Sequence, residues 1–398
     1  MLWLDSTKDR PDFGWFKQYL EQRMAEGVRV QRPLQDEADA TMLYEEAARW
    51  LQQECGIDNP NSPKQVLEFI GSCGDAEAIG MCTDRFSGKL TSKADALVEV
   101  AAAGRKWAMQ LIKYRTAFEV VKNINSVMTR ATIDGVVHPI IDFQKTNRVS
   151  YKEPALMNIN KDILWKMVKP FKEGNYIYSV DIKNQEPWIL AHMLKATELI
   201  ALVKEAGDQG YSFYKAVYKA VMGTEVESEA AYGEVKMAWN MLSYGGTYDG
   251  LAARCKVIDA RKMYDFFKGF KELKEYTGRT YGRARKGIQS AETVFGTTVY
   301  ADKTGGGLQR SLMDIPIQGT GADILCMLVK HIVEQLKEYE LDNVINIYYT
   351  RHDEIIFEVD KKFNDSVGDQ AVIDQLRELC RHRVDDWVEF GLDVEKVA

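Results

Sequence analysis

Two acids stand at the tips of strand-like segments far apart in the chain. Asp181 closes the run Tyr176-Ile177-Tyr178-Ser179-Val180, and Asp353 lies in Arg351-His352-Asp353-Glu354, between the apolar runs 344–349 and 355–359. A single acid at a strand end is most often a turn former or a helix cap. Two acids delivered by neighbouring strands have a different capability: they can hold a pair of divalent cations and support phosphoryl transfer. The sequence by itself does not bring the two together.

The elements that would position them are readable in outline. Over 11–56, apolar residues recur at helical spacing (Phe16, Tyr19, Leu20, Met24, then Met42, Leu43, Ala47, Leu51). Ser62 reads as an N-cap with Pro63 in the first helical position. A long helical stretch is expected over 93–128, so roughly the first 130 residues read as mostly α. Residues 131–143 read as a hairpin turning at Asp134-Gly135. Strand 176–181 follows, then helices over 187–290, a strand over 293–300 and a flexible turn at Gly305-Gly306-Gly307. A long helix from about Ile317, a second hairpin over 343–359 and a helix over 365–389 complete the chain. The class is α+β: an antiparallel sheet built from distant segments, with helical lobes around it.

Composition excludes several classes. The chain has 398 residues, 45% of them hydrophobic and 28% charged, enough for two or three domains or one multi-lobed catalytic unit. No run of about 18 apolar residues is apparent, so no membrane span is expected, and the N-terminus does not have the form of a secretory signal. The six cysteines are scattered without a Cys-x-x-Cys pair, which fits a reducing, cytoplasmic setting. Net charge is −7, yet its distribution matters more than its sum. The stretch 254–286 is rich in Lys and Arg interleaved with Tyr264, Phe266, Phe267, Tyr276 and Tyr281, and 161–172 is a second basic cluster. Singly these are solvated helix faces; as a regional excess they suit a polyanion.

The segments around the two acids, Asp181-Ile182-Lys183-Asn184-Gln185-Glu186 leading into Leu190-Ala191-His192, and His352-Asp353-Glu354 between apolar strands, resemble motifs A and C of the family A DNA polymerases, the bacterial DNA polymerase I type. Thr146-Asn147-Arg148, Ile317-Gln318-Gly319-Thr320-Gly321-Ala322-Asp323, Asn61-Ser62-Pro63-Lys64-Gln65 and Lys113-Tyr114-Arg115 resemble further family segments, in the family's order. Lys236, Asn240 and Tyr244, at i, i+4 and i+8, share one helical face, and Lys236 with Tyr244-Gly245 resembles the family's nucleotide-binding fingers helix. The chain departs from the family at Tyr232 (usually Arg), Asn240 (usually aromatic), Pro187-Trp188 (usually Leu-Arg), Asp314 (commonly Asn) and Gly210-Tyr211-Ser212 (usually Asp-x-His). Lys215, Lys219 or the basic stretch are expected to make good the missing triphosphate contacts.

The resemblance implies a right-hand polymerase fold: thumb and palm entry over 1–145, palm over 146–195 and 291–398, fingers over 196–290. It implies a template-directed DNA polymerase that adds dNTPs to a primer 3′ end, without 3′–5′ or 5′ exonuclease domains. Asp181, Asp353 and the Ile182 carbonyl would hold two Mg²⁺ ions, with Mn²⁺ as a substitute, and Glu354 would assist. Mg²⁺ takes few protein carboxylates and keeps substrate oxygens and water in its shell. Glu186 would exclude ribonucleotides, Lys236, Asn240 and Tyr244 would bind the nucleotide, and Arg148, Asn158, Arg310, Gln318 and His352 would touch primer-template DNA. Arg and Gln can test pairing geometry through minor-groove acceptors common to all base pairs. The small, divergent form is associated with a phage or mobile-element origin. Two other functions compete: a single-subunit RNA polymerase or primer-making enzyme, against which Glu186 argues, and a catalytically weak nucleic-acid-binding relative.

Overall fold

The run from Tyr176 to Ile182 forms a seven-residue strand (β1, Tyr176–Ile182), buried from Ile177 through Val180. Aromatic and β-branched side chains suit a strand covered on both faces. In the computed structural model, which describes residues 1–84, 87–208, 212–387 and 389–397, β1 is an inner strand of a four-stranded sheet. Its companions are the hairpin strands β2 (Ile345–Arg351) and β3 (Glu354–Val359) and a later strand β4 (Leu392–Lys396). The order is β2-β3-β1-β4, every pair antiparallel. Ile177, Tyr178, Ile355, Ile356 and Phe357 are almost wholly buried, each contributing about 1.5–3 kcal/mol of transfer free energy. The ladder of β2 slips between Ile347 and Tyr349, a bulge that leaves both Tyr348 and Tyr349 inside.

Around this sheet, five helices concern the site. α1 (Gln185–Met193) starts directly after β1. α2 (Phe213–Met222) is capped by Ser212, α3 (Glu229–Ser243) is capped by Ser228, and α4 (Lys271–Arg285) follows. α5 (Gly305–Glu338) runs 34 residues and is buried along most of its length. By length and composition α5 could cross a membrane, but 78% of its most apolar window is buried inside the protein.

The described chain divides into two compact units. One comprises 1–28, 138–152 and 170–398, and the other 29–137 and 153–169. The second is helical around a core that includes Leu51, Val66, Ile70, Trp107 and Leu111. There Ser62 accepts from the Gln65 N–H with Pro63 in the first turn, a cap worth about 1 kcal/mol.

Several elements differ from expectation. The segment 131–143 does turn at Asp134-Gly135, with Gly135 at φ 74, but its two strands do not pair with each other. Val136–Val137 joins a small sheet with Val28–Val30, and Ile140–Phe143 pairs with Val149–Lys152. Gly135 is required here: a Cβ would stand 2.8 Å from the Val30 carbonyl oxygen. The helix expected over 93–128 is two, Ala94–Ala102 and Lys106–Met128, interrupted at Gly104 (φ 85). The strand expected over 293–300 is a hairpin of Ser290–Glu292 and Thr298–Tyr300. The three glycines at 305–307 begin α5 instead of preceding it, and Pro316 lies within that helix. The helix expected over 365–389 is Lys361–Val367 and Asp369–Cys380, followed by strand His382–Val384.

Candidate active site

The strand register answers the question left by the sequence. Asp181 on β1 lies directly opposite Glu354 on β3 and, on its other side, opposite Asp393 on β4. Directly opposed residues project on the same face, so three acids from three strands share one end of the sheet. Asp353 stands beside them in the two-residue turn that joins Arg351 of β2 to Glu354 of β3. The turn's first residue, His352, has φ 56, the left-handed region where a side chain costs about 1–2 kcal/mol. Such strain persists where surrounding structure over-determines it, and it clusters at functional sites.

A cavity of about 470 Å³ opens in front of these acids. Asp181, Ile182, Glu186, Lys236, Asn240 and Asp353 all line it, together with Lys183, Asn184, Ser212, Tyr214, Tyr232 and Asp393. Burial, with Glu186 and Glu354 adding to it, raises the Asp353 carboxyl above its ordinary range; its own backbone N–H and Arg148 oppose this. Glu354 does not line the cavity. It is buried, at 3% exposure, hydrogen-bonded by the Ser179 hydroxyl and 3.7 Å from the Arg351 guanidinium.

Glu186 is held from two sides. One oxygen accepts from Arg148 Nη2 at 2.7 Å and the other from the Tyr244 hydroxyl at 2.5 Å. Burial and the Glu186 carboxylate push the Tyr244 phenol well above its usual range. Asp314 lies in the same electrostatic neighbourhood: burial and Glu186 lift it to about 6, against the pull of Arg148. The residue that differs from the family's usual Asn is thus a carboxyl held above its ordinary range.

Further lining comes from α2 and α3. Lys236 and Asn240 face the cavity, and Tyr244 caps α3. The Lys236 ammonium sits 5.7 Å over the Tyr214 ring, and the Tyr214 hydroxyl donates to Asn240 Oδ1 at 3.2 Å. Tyr232, at the position where the family usually has Arg, shares a hydrogen bond with Ser212 at 3.0 Å. Gly210 and Tyr211 lie outside the described residues. Trp239, also on α3, is buried against Phe213, Phe267 and Phe270.

The remaining candidates are more scattered. Gln318 lies on α5, and His352 stands at the hairpin turn. Arg310 is exposed on α5, and Asn158 is exposed at the end of the short turn Leu156–Asn158 in the other unit. Lys215 and Lys219 lie on α2 outside the cavity lining, and Lys219 pairs with Glu225 at 2.6 Å. Sequence reasoning missed Lys183, Tyr214 and Asp393. Asp393 carries a faint signal, an acid in an alternating run, but nothing in that run names its partner strand.

Among the described residues no group of three or more His, Cys, Asp or Glu is arranged to hold a metal alone. The acids at the sheet end, Asp181 and Asp353 among them, offer hard oxygen donors. They suit a Mg²⁺ that draws the rest of its shell from phosphate oxygens and water.

Comparison with known proteins bears on this arrangement. Residues 33–385 match the family described as DNA polymerase family A. Similar curated proteins include DNA polymerase I of Mycobacterium leprae, 25% identical over 327 residues, covering 76% of this chain and 34% of that protein. DNA polymerase theta of Drosophila melanogaster is 25% identical over 273 residues, covering 60% of this chain and 13% of that protein. The chain thus spans about a third or less of the length of these relatives. Among solved structures, the POL domain of Pol1 from M. smegmatis, in complex with DNA primer-template and dNTP, superposes with a TM-score of 0.77 at 22% identity. It covers 96% of this chain and 69% of that one, a likeness of fold.

Proposed function

This chain belongs to DNA polymerase family A, and we propose that it is a template-directed DNA polymerase extending a primer 3′ end with dNTPs. One observation carries the reading: Asp181 and Asp353 from the sheet and Lys236 and Asn240 from α3 line a single cavity. In the reaction the primer 3′ oxygen attacks the α-phosphorus, the bond to the β-phosphate breaks, pyrophosphate leaves and the hydroxyl proton passes to solvent. Asp181, Asp353 and the Ile182 carbonyl would hold divalent metal, which when bound neutralises phosphate charge and acidifies the primer hydroxyl. Lys236 offers a point charge to the triphosphate. Glu186, immobilised by Arg148 and Tyr244, stands as the steric and electrostatic gate against a 2′-hydroxyl, which favours DNA over RNA synthesis. Arg148, Gln318, His352, Arg310 and Asn158 are assigned to the duplex. The six free cysteines fit a reducing, cytoplasmic setting.

The test is primer extension on a DNA template by wild type and Asp353→Ala, with Mg²⁺ or Mn²⁺ and with dNTPs or rNTPs. Extension by wild type that is lost in the variant supports the reading. Equal extension by both removes the metal assignment, equal use of rNTPs removes the gate, and no extension by wild type favours a nucleic-acid-binding relative.

A further inference from the structure

We propose that Lys183, at the end of β1, is a second cation for the nucleotide triphosphate and takes over part of the work for which the chain has no arginine at Tyr232. The inference rests on the polymerase reading and deepens it. Among the described residues lining the cavity, the cations are Lys183 and Lys236; Lys215 and Lys219 lie outside the lining. The same lining contains Asp181, Glu186, Asp353 and Asp393. A polyphosphate entering this acidic pocket needs cationic partners.

Geometry gives Lys183 the right place. It is the first residue after β1, two beyond Asp181, and lines the same cavity. Its backbone N–H donates to the Gly391 carbonyl at 2.9 Å, which fixes the stem beside the acids. Its ammonium lies 3.6 Å from Asp393 Oδ1, with the lysine side chain 45% and the aspartate 65% exposed. An ion pair this long and this wet is weak. Asp393 therefore orients Lys183 toward the pocket without locking it, and the ammonium can exchange a carboxylate for phosphate oxygens. Lys236 is aligned differently, over the Tyr214 ring, so the two cations reach the same cavity from different elements, the end of β1 and α3.

The experiment uses Lys183→Gln and Lys183→Arg in primer extension, together with calorimetric binding of inorganic tripolyphosphate to the protein without DNA or metal. Expected for Lys183→Gln is a rise of roughly tenfold in KM for dNTP with kcat changed less than about threefold, since the lost contact is made by ground and transition states alike. Tripolyphosphate binding should weaken by about fivefold or more, and Lys183→Arg should restore both. If wild type extends primers and Lys183→Gln leaves both KM and tripolyphosphate binding unchanged, this inference alone is overturned. If wild type fails to extend but tripolyphosphate binding is still lost in Lys183→Gln, the polymerase reading is overturned and the polyphosphate site stands.

Discussion

The sheet and the helix that line the cavity are held on different principles. The acids stand on a sheet, where β1 is laddered to β3 on one side and β4 on the other, so each Asp181 neighbour is fixed by backbone hydrogen bonds. Lys236 and Asn240 stand on α3, whose place depends on side chains: Trp239 packed among three phenylalanines, and Glu234 accepting from the N–H groups of Lys256, Val257 and Ile258 at 2.8–3.0 Å. Backbone ladders tolerate sequence change in a way that jigsaw packing does not. The departures from the family pattern do not follow this tolerance: Tyr232 and Asn240 sit on α3, Pro187 and Trp188 on α1 and Asp314 on α5, while Asp181 and Asp353 on the sheet side keep the pattern.

The comparison is broken most severely from the sheet side. Asp181→Asn should lower primer extension by on the order of 10³-fold while leaving the melting temperature within about 2 °C, because the ladder does not use the carboxylate. A melting temperature that falls with activity would mean that the acid is structural. From the helix side, Trp239→Ala should cost about 3–5 kcal/mol of unfolding free energy, read by urea denaturation, and raise KM for dNTP by roughly tenfold at a temperature where the variant is folded. A stability loss without a KM change would show that α3 does not depend on this packing to present Lys236.

The smallest effect concerns protons. Asp314, raised to about 6 from an ordinary 3.8, binds its proton more tightly in the folded chain. Its contribution to stability is complete below about pH 4 and is lost as pH rises through about 6. Asp314→Asn escapes that loss, so it should gain about 1–3 kcal/mol relative to wild type between pH 4 and pH 7. Urea midpoints across that range check this, and a constant difference between the two proteins would contradict it.

How much was legible follows from the length and regularity of each signal. Asp181 and Asp353 were visible because each ends a run of apolar residues long enough to read as a strand, and the sheet of distant segments followed from them. The face shared by Lys236, Asn240 and Tyr244 was visible as simple helical spacing. The pairing of 136–137 and 140–143 was not, because strands of two or four residues are too short to announce a partner. The start of α5 was misplaced because three glycines have low helix propensity, whereas burial of Leu308 and Leu312 in an apolar cluster overrides it. Lys183 and Asp393 escaped notice because their importance is a matter of register between β1 and β4, which lies in no local pattern.

The turn at His352 and Asp353 has a consequence for insertions and deletions. Two residues join β2 to β3, and Arg351 is already paired with Glu354. One residue added or removed within β3 would slide its pairing by one position, turning Ile355 and Phe357 to the opposite face. The tip of this hairpin therefore has no freedom of length: any change that shifts β3 moves the acid and the hydrophobic core together, so drift here must proceed by substitution.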